Sequence, residues 1–120
     1  MIKDNCGHDS EHEALALRAK NNMPSGEGLE RVCNMFRVLA EPSRMKIVLA
    51  LKEGELCVYH IVEACGGTQS AVSHQLRVLK DNRVIKCRRE GQNVLYSLAD
   101  AHILKILEMS EEHMSCGGEI

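Results

Sequence analysis

The stretch QSAVSHQLRVLKDNRVIKCRREGQNVLYSL, residues 69–98, changes its hydrophobic period about halfway along. In the first half the apolar residues recur at helical spacing, at Val72, Leu76 and Leu79. This spacing predicts an amphipathic helix that is capped by Thr68 and runs to about residue 81. The second half alternates apolar and polar residues on both sides of a polar turn that contains Gly91, which predicts a β-hairpin. A helix and two antiparallel strands therefore follow each other directly.

The polar face of this helix and the hairpin after it carry side chains suited to DNA. Seven residues at the helix present groups that can donate or accept hydrogen bonds at base edges: Thr68, Gln69, Ser70, Ser73, His74, Gln75 and Arg77. Four more suit contacts to phosphates: Lys80, Arg88, Arg89 and Asn93. Residues 68–93 hold six Lys or Arg and two acidic residues, although the whole chain has a net charge of -2. An ordinary solvated face is the alternative interpretation, but the charge distribution and the order of the elements favour DNA binding.

Further helices are predicted on both sides of this stretch. Apolar residues recur at helical spacing over residues 29–40, and Pro42 then marks the first turn of another helix. A short helix over roughly residues 57–64 stops at two glycines, and a last helix begins near Asp100. Two helices joined by a tight turn and followed by a basic hairpin are typical of a winged helix-turn-helix, whose second helix enters the major groove. We therefore predict a mainly α protein with a β-hairpin wing, of the α+β class.

The length of 120 residues allows one domain. We expect a flexible N-terminal arm with a short helix over residues 1–27, a winged helix-turn-helix domain for DNA binding and dimerisation over 28–116, and a tail over 117–120. No run of about 18 apolar residues and no signal peptide is found, which predicts a cytoplasmic protein without a membrane partner. In a reducing compartment the six cysteines are expected to be buried thiols or metal ligands, not disulfides.

The last predicted helix places His102 and His113 eleven residues apart on one stripe. At about 100° per residue, Ile106, Met109 and Cys116 fall within about 40° of His102, as in a seam against a partner helix. A second stripe lies about a quarter turn or more away and is expected to face the domain's own core: Ile103, Leu107, Ser110 and Met114. The helix is thus predicted to have two buried faces, and a homodimer supplies the partner for the first.

The separation of the two histidines decides what kind of metal site they can form. A rise of about 1.5 Å per residue places His102 about 16 Å from His113, whereas two ligands of one zinc ion lie about 3 to 4 Å apart. If two copies of the helix run antiparallel across a two-fold axis, the His102 end of one meets the His113 end of the other. Each end then holds the ligands of a closed tetrahedral zinc-type site: Asp100, His102, His113 and Cys116. Glu112 is the alternative fourth ligand, and a metal-free, hydrogen-bonded seam is the alternative interpretation of the histidines.

A second group of metal-ligating residues surrounds the short helix and the N-terminal arm. Cys57 and His60 stand at i and i+3, so they share a helix face. The arm adds Cys6, His8 and His12, which have no evident role in a core. A thiolate-containing site of Cys6, Cys57, His60 and either His8 or His12 is one interpretation. A buried Cys57 without a metal is the other.

Four parts of the chain together resemble the ArsR/SmtB family of bacterial metal-sensing repressors. They are LAEPSRMKIVLAL (39–51), ELCVYHI (55–61), residues 69–98 and the D-x-H-x10-H-x2-C pattern of the last helix. The resemblance covers roughly residues 28–116 and implies a winged-helix homodimer whose flanking helices form the interface. It also implies that the metal-free dimer holds an operator, and that metal binding releases the promoter of a gene for metal efflux or sequestration.

The resemblance also implies where metals bind. The family's last-helix site falls on Asp100, His102, His113 and Cys116. His or Glu is more usual at the fourth position, so Cys116 is expected to tilt selectivity toward Cd(II). The family's third-helix site falls on Cys57, with His60 where a Cys or Asp is often found. Tyr59 stands where cadmium- and lead-sensing members carry another Cys, which argues against a Pb(II)- or As(III)-type trithiolate. The expected effector is Zn(II), Cd(II) or another divalent metal.

Two other functions are consistent with parts of the same sequence. One is a repressor on the same scaffold that is switched by oxidation of its cysteines or by another ligand, and its release from DNA by peroxide is unaffected by chelators. The other is a small zinc hydrolase. The sequence offers no site with an open coordination position beside a general base, so we predict that this protein is not an enzyme.

Overall fold

The computed structural model describes residues 9–117. Its elements, in chain order, are α1 Ser10–Asn21, α2 Gly26–Ala40, α3 Pro42–Leu51, α4 Val58–Cys65, α5 Gln69–Asp81, β1 Ile85–Glu90, β2 Asn93–Leu98 and α6 Ala101–Gly117. The helix-turn-helix is α4 and α5, and the hairpin of β1 and β2 is the wing. The predicted α+β fold, a winged helix-turn-helix, is therefore confirmed. Within the described part of the chain no helix is long and apolar enough to cross a membrane.

Local hydrogen bonds explain where the helices begin. Glu41 precedes α3, and its carboxylate oxygens accept from the backbone N–H groups of Ser43 and Arg44, each at 3.1 Å. These bonds, first of all the one from Ser43, hold the pKa of Glu41 below its usual value. At α5 the Thr68 hydroxyl accepts from the Ala71 N–H at 3.0 Å, as the sequence predicts. Asp9 caps α1 in the same way, since its side chain accepts from the His12 N–H at 2.7 Å.

The wing is a regular antiparallel hairpin. Ile85 pairs with Leu98 and Glu90 with Asn93, so the two-residue connection is Gly91-Gln92. Gly91 has φ +63°, a left-handed conformation that such tight hairpin turns require and that favours glycine. The segment before α4 joins the wing through a bridge in which the Leu56 and Tyr96 backbones exchange hydrogen bonds of 3.1 and 2.8 Å.

The hydrophobic core lies within the unit formed by Asn34–Ile120, one of two compact units into which the chain divides. Its fully buried side chains come from several elements and include Ile47 and Val48 of α3, Ile61 of α4, Leu76 and Leu79 of α5, and Val84. Burial of such side chains is the main stabilising term, about 1.5–3 kcal/mol for each. In the other unit, Met1–Cys33, α1 has no buried residue.

Candidate functional site

The outer face of α5 is exposed along its whole length. Val72, Leu76 and Leu79 are buried on the inner face, which follows from their helical spacing. The side chains that the sequence assigns to base contacts and that stand exposed on this helix are Gln69, Ser70, Ser73, His74 and Arg77. Their donors and acceptors can therefore reach base edges when α5 lies in a major groove.

Two other residues of the predicted base-contacting set already have partners within the protein. The Thr68 hydroxyl caps α5. Gln75 is half-buried, and its side-chain oxygen accepts from Arg44 Nη1 at 3.3 Å. Arg44 Nε in turn donates to the Val38 carbonyl oxygen at 2.8 Å, so this arginine joins α2, α3 and α5. Thr68 and Gln75 thus help to position α5, the second helix of the helix-turn-helix, which we call the recognition helix.

In the wing, Arg88 differs from the other predicted phosphate contacts. All four residues, Lys80, Arg88, Arg89 and Asn93, are exposed, but Arg88 is also held in ion pairs. Arg88 donates from Nε and Nη2 to the two carboxylate oxygens of Glu55, both at 2.8 Å, and Nη2 also lies 2.9 Å from Glu90 Oε2. The hydrogen bonds with Glu55 raise the pKa of Arg88 and lower that of Glu55. A phosphate that binds Arg88 therefore competes with these two carboxylates.

We expect Arg89→Gln to weaken DNA binding more than Arg88→Gln does. Each lysine or arginine that neutralises a phosphate contributes about 0.9 to the slope of log affinity against log salt concentration. Loss of Arg89 from both subunits of a dimer is therefore expected to make that slope shallower by about 1.8, and loss of the paired Arg88 by much less. Fluorescence anisotropy with a labelled duplex over a range of salt concentrations measures both slopes. An equal or larger change for Arg88→Gln would show that Glu55 does not hold this side chain back.

The first turn of α6 holds one pair of candidate metal ligands. Asp100 Oδ1 accepts from the backbone N–H groups of His102 at 2.9 Å and Ile103 at 3.2 Å. His102 Nδ1 lies 3.5 Å from the same oxygen, and 87% of the His102 side chain is exposed. The hydrogen bond from the Ile103 N–H, followed by that from His102, holds the pKa of Asp100 below its usual value. The pair thus presents an ionised carboxylate and an accessible imidazole, both of which are ligands that zinc accepts.

The rest of α6 extends beyond the core of its own domain. Ile103 and Leu107 are buried, as predicted for the core-facing stripe. Ser110 and Met114, expected on the same stripe, are exposed, so that part of the expectation is wrong: the core covers only the first two turns of the helix. His113 and Cys116 are exposed as well, at the far end of α6.

An apolar groove runs beside this projecting part of α6. It has a volume of about 510 Å³ and lies between α2, α3 and α6. Its walls include Phe36, Met45, Leu49, Ile106 and Met114. Phe36 is 52% exposed and Met114 72%, so large apolar side chains face solvent in the single chain. Exposed apolar surface of this kind marks an interaction site.

The second predicted cluster is only partly within the described residues. Cys57 Sγ lies 3.3 Å from His60 Nδ1, so the structure brings these two side chains together. Cys57 occupies the N-cap position of α4, and the helix itself starts one residue later than predicted, at Val58. Cys6 and His8 fall outside the described residues, and His12 lies on α1 in the unit Met1–Cys33. In residues 9–117 of one chain, no three His, Cys, Asp or Glu side chains converge as a metal site does.

Two ion pairs in the domain, one at the wing and one at α6, could not be predicted from the sequence. Glu55 and Arg88 are 33 residues apart, and Lys52 and Glu111 are 59 apart. Lys52 Nζ lies 2.6 Å from Glu111 Oε1, and this contact raises the pKa of Lys52. It joins the end of α3 to the projecting half of α6, two residues from His113. A charge pattern along the chain does not predict such pairs, because their partners meet only through tertiary packing.

Comparisons with known proteins agree with the fold. The family model described as bacterial regulatory protein, arsR family, matches residues 41–86. The chain is 36% identical over 109 residues to the transcriptional repressor SmtB homolog of Synechocystis sp., covering 91% of this chain and 83% of that protein. It is 35% identical over 114 residues to the cadmium resistance transcriptional regulatory protein CadC homolog of Staphylococcus aureus, covering 94% of this chain and 93% of that protein.

A solved structure shows the same fold. The solution structure of a homodimeric winged helix-turn-helix DNA-binding domain from Mycobacterium bovis, a possible ArsR-family transcriptional regulator, matches with a TM-score of 0.69 at 24% identity. The match covers 92% of this chain and 90% of that one. The likeness shows that the helix-turn-helix and the wing are arranged as in that fold.

Proposed function

The chain belongs to the ArsR/SmtB family of metal-responsive transcriptional repressors, which are not enzymes, and from this premise we propose that Zn(II) or Cd(II) bound between two subunits releases its dimer from operator DNA. The observation that carries the proposal is the arrangement of α6. Candidate ligands stand exposed at both of its ends, and the exposed Met109 lies between them. The fraction of operator DNA that such a protein occupies then depends on the metal concentration in the cytoplasm.

A second copy of the chain is the partner that the apolar surface requires. The groove beside α6 and the exposed side chains of Phe36, Met109 and Met114 leave a large apolar area in water. Removal of apolar area from water contributes about 25 cal/mol for each Å², before the entropic costs of association are subtracted. Two copies related by a two-fold axis present this same surface to each other, since the contacts of such an interface are self-complementary. The homodimer thus covers the face that the domain core leaves open.

The same two-fold axis brings the candidate ligands together. In the antiparallel arrangement Asp100 and His102 of one subunit meet the far end of the partner's α6. There His113 contributes a nitrogen, and Cys116 or Glu112 contributes a sulfur or an oxygen. The Asp100–His102 pair supports this assignment because its two side chains already lie 3.5 Å apart. Each site holds a carboxylate, two imidazoles and a fourth donor, a set that fits a tetrahedral divalent metal.

Linkage between the two binding reactions accounts for release. A metal that binds the free dimer better than the DNA-bound dimer must weaken DNA binding by the same factor. Coordination across the interface constrains the angle between the two subunits, and so the spacing of the two α5 helices. Operator half-sites lie about one helical turn apart, so a changed spacing is penalised. The Lys52–Glu111 ion pair, at 2.6 Å, joins α6 to the end of α3 and so forms a direct contact between the projecting helix and the domain.

The Cys57–His60 pair is proposed as part of a second, softer metal site. The 3.3 Å distance between Sγ and Nδ1 supports a shared ligand role for these two groups. Cys6 and either His8 or His12 of the arm complete the set that the sequence predicts. A thiolate in such a site favours Cd(II) or Zn(II) over harder cations.

The experiment that tests the function is a titration of the protein–DNA complex. A labelled duplex from the region upstream of the protein's own gene is bound by the metal-free protein, and Zn(II) or Cd(II) is added. Release at stoichiometric metal that a chelator reverses is the expected result. Release by peroxide alone, unaffected by chelators, would instead favour a repressor switched by oxidation of its cysteines.

A further inference from the structure

Two clefts flank the recognition helix on opposite sides of its exposed face. One lies between α3 and α5, has a volume of about 270 Å³, and includes Lys46, Gly66 and Gly67 in its walls. We call it the α3 cleft. The other, of about 200 Å³, lies between α5 and the wing and includes Ser73 and Asn93. A helix of about 10–12 Å diameter fills a major groove about 12 Å wide, so a phosphate backbone borders it on each side.

We propose that the α3 cleft receives a backbone phosphate of the bound DNA, and that Lys46 is the residue that contacts it. The proposal rests on the DNA-binding function and adds a phosphate contact outside the recognition helix and the wing. Each of the two clefts would then face one of the two DNA phosphate backbones that border the major groove. The contact is independent of base sequence, because it is made to a phosphate.

The position of the cleft around α5 agrees with this role. Ala71 and Gln75 line the cleft, and they follow Ser70 and His74 of the exposed face. Each lies about 100° around the helix from the residue before it. The α3 cleft therefore opens at the side of the helix, where the border of the groove lies, and not at the face that meets the bases.

The charge in the cleft is available to an anion. Lys46 is exposed on α3, and among residues 9–117 its ammonium forms no ion pair with a carboxylate, in contrast to Arg88 in the wing. Burial raises the pKa of the neighbouring Cys65 thiol, and the positive charge of Lys46 acts in the opposite direction. Lys46 and Cys65 both line the cleft.

The turn between α4 and α5 leaves room for a phosphate. Gly66 and Gly67 have φ of +82° and +86°, a conformation that favours glycine at both positions. A Cβ added at either residue would meet no other atom within 4 Å, so this wall is open backbone. Close approach of a phosphate is therefore not blocked by side chains of the turn.

The test is the salt dependence of DNA binding by Lys46→Gln, with Lys105→Gln as the matched control. Both lysines are exposed and both changes remove one positive charge, but Lys105 lies on α6 and does not line the cleft. The probe is a fluorescein-labelled duplex of arbitrary sequence, about 30 base pairs long, so that it spans two half-sites about one helical turn apart. A chelator in the buffer keeps the protein metal-free.

For Lys46→Gln we expect the slope of log affinity against log salt concentration to become shallower by about 1.8, which is about 0.9 for each subunit. Lys105→Gln is expected to keep the wild-type slope. Equal slopes for Lys46→Gln and wild type, or equal changes in both variants, would overturn the phosphate contact while leaving the proposed function intact. Wild-type protein that bound no duplex would overturn the proposed function and this inference with it.

Discussion

His113→Ala is expected to abolish metal-induced release from DNA while leaving the affinity of the metal-free protein unchanged. His113 is exposed on the half of α6 that projects beyond the core, so its loss removes a proposed ligand without opening a cavity. Couplings between two binding sites are commonly about 1–3 kcal/mol, which corresponds to a change in affinity of about 5- to 150-fold. For the variant we expect the ratio of DNA affinities without and with Zn(II), measured by anisotropy, to be close to one.

Two further histidine variants identify which site regulates. His102→Ala removes the proposed ligand at the other end of α6 and is expected to behave like His113→Ala. His60→Ala changes the second cluster and is expected to retain release by Zn(II). If release persists in both α6 variants and disappears in His60→Ala, the Cys57–His60 cluster is the sensor. Release that persists in all three would contradict regulation through either site.

Arg77→Ala is expected to give the largest loss of operator affinity among single changes on α5. Arg77 is exposed on the outer face of this helix, where its guanidinium can bond two acceptors of one base. Such a contact contributes about 1–3 kcal/mol to discrimination between bases, and a dimer loses it in both half-sites. The loss is then at least about 2 kcal/mol, so affinity for the operator, measured by anisotropy, is expected to fall at least about 30-fold.

The matched comparison uses a duplex of arbitrary sequence and the variant Arg89→Ala. A phosphate contact weakens binding to operator and arbitrary duplex by the same factor, whereas a base contact lowers the ratio between them. We expect Arg77→Ala to lower this ratio and Arg89→Ala to leave it unchanged. An unchanged ratio for Arg77→Ala would mean that this side chain contacts only the DNA backbone.

Much of the fold follows from local patterns in the chain. The three apolar residues Val72, Leu76 and Leu79 predict both the extent of α5 and its buried face, and all three are buried. The alternating runs around Gly91 predict the hairpin in a similar way, because side-chain direction repeats every two residues along a strand. Helix ends were predicted less exactly: α4 begins at Val58, one residue later than predicted, because Cys57 is its N-cap.

The candidate sites divide in the same way. The eleven-residue spacing of His102 and His113 and the polar face of α5 are consequences of helical geometry, and the sequence alone determined them. Only the tertiary structure decided which candidate side chains already have a partner within the protein and which surface the others line. Arg88 is held by Glu55 from 33 residues away, and Lys46 lines a cleft beside α5 although it belongs to α3. Periodicity specifies the direction of a side chain relative to its own helix or strand, but its neighbours depend on how separate elements pack.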